Sequence, residues 1–265
     1  MFDRFQRSIN YLRISVTDLC NLRCVYCMPV EGVALKRHED ILSFEEIEEL
    51  TRVAVRLGVN KVRLTGGEPL VRRGILDLVR RLGCISGIDD FAMTTNGILL
   101  PEYAFALREA GLHRVNISLD CLDAERFRAI TRCGRVDDSL AGIDAAVAAG
   151  FRQVKINCVV DESPDEPHAR AVAAFGRDRG LDVRFIRKMD TDRGEFWRVF
   201  GGDGGHCESC NRLRVSSEGL VYPCLFNDLR YSVRELGAER AVRAAIEGKP
   251  ASGHRSRNRF YALGG

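Results

Sequence analysis

Residues 11–27 read YLRISVTDLCNLRCVYC, a β-branched run that delivers a loop carrying Cys20, Cys24 and Cys27, with three and then two residues between successive cysteines. Three thiols are one short of a structural zinc site, which closes with four ligands, and a disulfide takes only two. A cubane iron–sulfur cluster has four irons and ordinarily takes four thiolates, so three would leave one iron open to a ligand from outside. On ligand count the alternative is a zinc site whose fourth ligand lies elsewhere in the chain.

The run at 11–17 is the first of six. KVRLT (61–65), FAMTTN (91–96), RVNISLD (114–120), QVKINCVV (153–160) and DVRFIRKM (182–189) follow, and stretches of helical periodicity separate them. In SFEEIEELTRVAVRLG, Ser43 fits an N-cap with Glu46 three residues on, and Gly58 fits the far end. Strand and helix alternating this often predict an α/β fold with a parallel sheet, an incomplete (β/α)6 TIM-like barrel. The expected organisation is a barrel over 1–190, a Gly-rich connector over 191–206 and a small C-terminal cysteine module over 207–265. Chemistry in such folds gathers at the C-terminal strand ends. The cysteine loop, TGGEP (65–69), TTNG (94–97), and Ser118 with Asp120 all follow or end strands, so they are expected at one mouth. Gly66 and Gly67 would permit close approach of a ligand to the backbone, a plain strand-to-loop turn being the alternative, and Glu68 adds a carboxylate suited to an amine.

Composition sets the surroundings. The 265 residues are 45% hydrophobic, enough for a full core, and the 10 cysteines are too clustered to be casual. The opening MFDRFQRSIN is charged, and no apolar run approaches the ~18 residues of a membrane span. A reducing cytoplasm is therefore expected, where clustered cysteines serve metals or catalysis more than disulfides. A net charge of +3 implies neither nucleic acid nor membrane as partner, so any anion site must be local.

A second triplet, Cys207, Cys210 and Cys224, lies in CESCNRLRVSSEGLVYPC, and His206 could complete it as a zinc knuckle. Arg212 and Arg214, two apart on an extended stretch, point the same way and could address one anion. Cys84, Cys121, Cys133 and Cys158 lack ligand spacing and are expected to be packing residues.

The C-x3-C-x2-C spacing with an aromatic before the third cysteine resembles the signature of radical S-adenosylmethionine (SAM) enzymes. That resemblance implies that Cys20, Cys24 and Cys27 hold a catalytic [4Fe–4S] cluster whose open iron binds SAM. It places Tyr26, Gly66, Gly67, Glu68, Ser118 and Met189 around SAM. The blocks LRISVTDLCNLRCVYCMP, KVRLTGGEPLVRR, TTNG, VNISLD, VKINCVV, RFI, CNRLRVSSEG and the terminal GG, in this order, are similar to one family within that group, the GTP 3′,8-cyclases. These are lyases that open molybdenum cofactor biosynthesis. The resemblance covers 11–189 and 206–265. It implies a second [4Fe–4S] cluster at Cys207, Cys210 and Cys224, and GTP held by Arg13, Arg63, Thr94, Lys155, Arg212, Leu213 and Arg214, with Arg13 also catalytic. Lys61 and Arg184 are further cations for the triphosphate, and Gly264 with Gly265 would reach the active site. Implied partners are a reducing electron donor such as flavodoxin or ferredoxin, a downstream cofactor-biosynthesis enzyme and a second copy of the chain in a homodimer.

Two departures stand out. Only 16 residues separate Asp190 from Cys207 where the family carries several dozen more, and Arg187 stands where it usually has a glutamate. They mark one alternative, a radical SAM paralogue acting on a peptide or another small molecule; a further alternative, of another class, is a non-catalytic zinc or iron–sulfur protein.

Overall fold

A computed structural model describes residues 1–264, and the expectation for Gly265 lies outside the described residues. Six parallel strands, β1 (Tyr11–Ser15), β2 (Lys61–Thr65), β3 (Asp90–Thr95), β4 (Arg114–Ser118), β5 (Gln153–Val160) and β6 (Asp182–Arg187), pair in sequence order. The connecting helices are α1 (Phe44–Arg56), α2 (Ile75–Gly83), α3 (Leu100–Glu109), α4 (Ala124–Thr131), α5 (Val136–Ala148) and α6 (Pro167–Asp178). The α/β barrel is thus incomplete, as the alternation predicts. Its first helix starts where expected: Ser43 Oγ accepts from the Glu46 N–H at 3.1 Å, and Glu46 accepts from the Ser43 N–H at 2.7 Å. Such a box satisfies two orphan donors of the first turn. Gly58, at φ +98°, lets the chain leave the helix left-handed. On the sheet-facing side Ile47, Leu50, Val53 and Ala54 are buried, and each large apolar side chain so removed from water contributes roughly 1.5–3 kcal/mol.

Strand period decides what reaches the barrel's interior. In β5, Val154, Ile156, Cys158 and Val160 are buried under the helices, while Lys155, Asn157 and Val159 alternate with them and face inward. Every residue of β1, which has a strand on each side, is buried: Leu12 and Ile14 in the hydrophobic core, with Tyr11, Arg13 and Ser15 alternating with them on the other face.

The second of those neighbours is β7 (Arg212–Val215), which pairs parallel with β1, and β8 (Leu220–Tyr222) and β9 (Tyr231–Ser232) extend the same sheet antiparallel. The short α7 (Val233–Leu236) leads into α8 (Ala238–Glu247), which packs beside α1. Leu213, Val215, Val221, Val242 and Ala245 belong to the same hydrophobic core as the barrel strands. The C-terminal segment therefore continues the barrel sheet and shares its core. Segment 191–206 attaches to β6 through the Phe185–Phe200 bridge. It is also tied to the tail: the Ser256 N–H donates to Thr191 O at 2.8 Å and Thr191 Oγ1 donates to Asn258 O at 3.0 Å. Among the described residues no helix is long and apolar enough to cross a membrane.

Candidate functional site

Strand register assembles the cationic set. Across β2, β1 and β7 the pairings align Lys61, Tyr11 and Arg212 in one row and Arg63, Arg13 and Arg214 in the next. Neighbouring strands lie about 4.8 Å apart, so three guanidinium-bearing residues stand side by side. Leu213, between two of them, points the other way into the core and is fully buried, so its side chain is not part of the site. Burial, and next the nearby Arg214, pulls Arg13 from an ordinary 12.5 to about 9. Burial likewise brings Arg63 to about 9, and burial with Arg212 brings Arg214 to about 10. The rings and forks interlock: Arg63 lies 5.4 Å and Arg212 5.7 Å from the Tyr11 ring.

These side chains line a cavity of about 400 Å³ together with Lys61, Lys155, Arg184 and the second triplet. Lys155 pairs with Asp182 at 3.4 Å. Arg114, which motif reading overlooks, also lines the cavity, but its fork is engaged by Asp90 at 2.6 and 2.5 Å. The connector supplies one wall through Phe196 and Trp197, and Arg187 stacks on the Trp197 ring with 3.7 Å to its centroid. From the tail, the Gly264 carbonyl accepts from Arg13 Nη2 at 3.1 Å and from Arg214 Nη1. The tail thus meets the arginine row.

A second cavity, of about 180 Å³, is lined by Cys20, Cys24, Cys27, Tyr26, Gly66, Gly67, Glu68, Thr94 and Ser118. Thr94, expected with the phosphate-binding cations, sits here, its Oγ1 buried without a hydrogen-bond partner among the described residues. Asn157, Ile186 and Met189 line both cavities, which therefore meet at those side chains. The glycine pair has a structural cause of its own. A Cβ on Gly66 would fall 2.4 Å from Thr17 O and one on Gly67 2.4 Å from Leu19 O, so it is the chain's own cysteine loop that approaches. The Gly67 and Glu68 N–H groups donate to those same carbonyls at 2.8 Å, locking the two loops together.

Within this cavity Glu68 is buried and accepts from Asn96 N–H at 2.7 Å, Thr95 Oγ1 at 2.8 Å and Leu70 N–H at 3.0 Å. Burial nonetheless raises its carboxyl to about 7. Tyr26 donates to Asp120 at 2.7 Å, and Asp120 accepts from the Val159 N–H at 2.8 Å, bracing the cysteine loop against β5. Burial pushes the thiols up, Cys20 to about 11 and Cys27 to about 12. A metal would displace those protons on binding.

Cys207, Cys210 and Cys224 share the larger cavity, and His206 lines it beside them. Two buried cations absent from any motif stand behind this triplet. Arg7 pairs with Asp3 at 2.6 Å and donates to Cys207 O at 2.7 Å. Lys249 donates to Arg212 O and Pro223 O, each at 2.7 Å. Burial opposes the Cys210 thiolate, yet Lys249 and nearby donors leave this thiol below its ordinary value, whereas burial raises Cys224. Among the described residues no three His, Cys, Asp or Glu side chains surround a point as a lone ion requires. A cubane asks for a looser arrangement, one thiolate per iron. Of the remaining cysteines, Cys121 and Cys158 are packing residues as expected, but Cys84 and Cys133 are exposed, since the helix end and loop that carry them face solvent.

Comparison with known proteins agrees with this geometry. Residues 14–171 match the model of the Radical SAM superfamily. A GTP 3′,8-cyclase of Pelotomaculum thermopropionicum is 41% identical over 325 aligned positions that cover 100% of both chains. One of Geobacter sulfurreducens is 43% identical, covering 88% of this chain and 86% of that one. With 325 aligned positions against 265 residues, at least 60 positions of the first alignment have no counterpart here. Among solved structures, Streptococcus suis SuiB bound to precursor peptide SuiA superposes with a TM-score of 0.63 over 92% of this chain and 66% of its own, at 16% identity. The enzyme anSMEcpe with bound AdoMet gives 0.62 over 91% and 81%, also at 16%. At such identity the structures speak for the fold, and the sequence relatives for the family. One [4Fe–4S] cluster and SAM belong to the chemistry of that superfamily. The chain belongs to the radical SAM superfamily and, within it, to the family of the GTP 3′,8-cyclases.

Proposed function

We propose that the chain is a GTP 3′,8-cyclase, joining ribose C3′ to guanine C8, with SAM in the smaller cavity and GTP in the larger. The observation that carries the reading is the row Arg63, Arg13 and Arg214 on adjacent strands, the first two buried and the third half-buried, all lining the larger cavity. Guanidinium forks suit phosphate, and three of them side by side suit the several oxygens of a triphosphate. A neutral peptide would not need such a set.

The donor chemistry fits the implied groups. Cys20, Cys24 and Cys27 are soft thiol ligands on one cavity wall, and the Leu22 N–H already donates to Cys20 Sγ at 3.3 Å. They would hold the first [4Fe–4S] cluster, with Tyr26, Gly66, Gly67, Glu68, Ser118 and Met189 around SAM. Cys207, Cys210 and Cys224 would hold the second cluster. When bound and reduced by one electron, cluster and SAM supply a 5′-deoxyadenosyl radical that removes the ribose 3′ hydrogen. The chain's own part is placement. Arg13, Arg63, Lys155, Arg212 and Arg214 grip the triphosphate, Thr94 Oγ1 offers a free hydroxyl nearby, and the ribose lies where Asn157, Ile186 and Met189 join the two cavities. The hydrogen leaves on 5′-deoxyadenosine, the new bond forms to C8, and one electron and one proton from outside complete the dihydropurine. A flavodoxin or ferredoxin as electron donor, a downstream enzyme for the product and a cytoplasmic site belong to the same proposal.

The test is anaerobic incubation of reconstituted protein with SAM, dithionite and GTP deuterated at C3′. Deuterium in 5′-deoxyadenosine together with an isomer of GTP is the expected result. The reading fails if 5′-deoxyadenosine forms without deuterium and GTP is recovered unchanged.

A further inference from the structure

Lys249 is 1% exposed, immediately beyond α8, and its ammonium spans the two segments that carry Cys210 and Cys224. It donates at 2.7 Å to the carbonyl of Arg212, two residues after Cys210, and at 2.7 Å to that of Pro223, the residue before Cys224. Arg7 fastens the third ligand segment from the other side, through Cys207 O at 2.7 Å and the Pro250 and Ala251 carbonyls at 2.6 and 3.0 Å that follow Lys249. The two cations differ in one respect. Arg7 has its countercharge in Asp3 at 2.6 Å, whereas among the described residues no carboxylate pairs with Lys249. Carbonyl dipoles alone are poor compensation for a buried ammonium, which is costly unless paired with opposite charge. Apart from Arg7, the ionisable groups acting on it are the thiols of Cys210 and Cys224.

We infer that Lys249 is the built-in counter-ion of the second cluster: it holds the Cys210 and Cys224 segments together and, by its charge, raises the cluster's reduction potential. The inference rests on the reading of Cys207, Cys210 and Cys224 as iron–sulfur ligands. Three thiolates around a [4Fe–4S] core leave a net negative charge that grows by one on reduction. A fixed positive charge in contact therefore favours the reduced form, net charge and hydrogen bonds at sulfur being the protein's usual means of setting such potentials.

The test uses the full chain with Cys20, Cys24 and Cys27 replaced by Ser, so that only the second triplet is loaded, reconstituted anaerobically and titrated by EPR. Alongside it stand the same protein with Lys249→Gln, which keeps a donor without the charge, and with Lys249→Arg, which keeps the charge. Expected are about four irons per chain and a midpoint lowered by Lys249→Gln at least tenfold in the reduction equilibrium, about 59 mV for one electron. Lys249→Arg should retain most of the potential. Iron lost from Lys249→Gln but kept by Lys249→Arg would carry the same meaning. An unchanged midpoint in Lys249→Gln with its iron intact, or equal loss of iron from both variants, would make the lysine a geometric strut and overturn the inference. Stoichiometric zinc in place of iron would overturn the ligand reading itself and the redox role with it.

Discussion

Arg63 offers a perturbation whose two effects should have opposite signs. It sits mid-strand in β2, 6% exposed, its Nε without a hydrogen-bond partner among the described residues and its guanidinium 5.4 Å from the Tyr11 ring. Burial brings its pKa from 12.5 to about 9. Both values lie above 7, so at neutral pH the group is charged folded and unfolded, and the full penalty of burying it is present. Relief would come only as pH rose from about 9 toward 12.5. At about 1.36 kcal/mol per pH unit the gap amounts to roughly 5 kcal/mol. Water in the adjoining cavity and relaxation bring this down to about 2–4 kcal/mol, and loss of the cation–π contact removes about 1 kcal/mol more. Arg63→Met, which keeps the length and deletes the charge, should therefore stabilise the ligand-free protein by about 1–3 kcal/mol. The same change should weaken GTP binding by about 10- to 150-fold, the worth of a charge-assisted phosphate contact. Denaturant unfolding of wild type and variant in the same cluster state, with linear extrapolation, gives the first quantity, and equilibrium binding at fixed ionic strength the second. A destabilised variant, or one that binds GTP as wild type does, would refute the claim that Arg63 is buried at a cost in stability for the sake of an anion.

Glu68→Gln should flatten part of the pH profile of stability. The wild-type carboxyl is raised from 4.5 to about 7, so the stability present below 4.5 is lost as pH climbs through 7. That is a difference of about 3 kcal/mol between the two proteins' profiles, and parallel unfolding curves at pH 4.5 and 7.5 would contradict it. Cys24→Ala should abolish reductive cleavage of SAM while the second triplet keeps its iron; 5′-deoxyadenosine at wild-type yield sinks the assignment of the first site. Truncation after Leu263 removes the carbonyl that Arg13 and Arg214 share. It should cut cyclised product far more than it lowers the unfolding midpoint, because the deletion takes away hydrogen bonds at the arginine row but no large apolar side chain. Equal product from the truncated chain would reduce the tail to packing.

Local pattern carries much of this fold. The six barrel strands begin and end within two residues of their β-branched runs, and Ser43 with Glu46 marks the first helix start. Placement of the cysteine loop, Glu68 and Ser118 at one mouth follows from strand direction alone. Period two alone sends Leu213 into the core, since Arg212 and Arg214 on either side of it face the cavity. What escapes a linear reading is contact between segments far apart. Nothing near Lys249 or Arg7 in sequence distinguishes them from surface cations, and their burial depends on α8 and the N-terminal turn closing over the second triplet. Likewise, the glycines at 66 and 67 look like a ligand cradle until the carbonyls of Thr17 and Leu19 are seen against them.

The pairing of β1 with β7 also imposes an order on assembly. Tyr11 and Arg212 are neighbours in the sheet but are made far apart in time on a ribosome, and contacts of such long sequence separation form late. Until β7 emerges, β1 is an open sheet edge, a template for mispairing with other chains. The barrel strands and Cys20, Cys24 and Cys27 are all available by then, so the first cofactor pocket can exist before the second. The reverse cannot occur, since Cys210 is positioned by a strand that docks on the already formed β1 on one side and on the still later β8 on the other. A nascent chain stalled before residue 212 should therefore be competent for one cluster and prone to aggregate, and release of the last fifty residues closes the edge and creates the substrate site in one event.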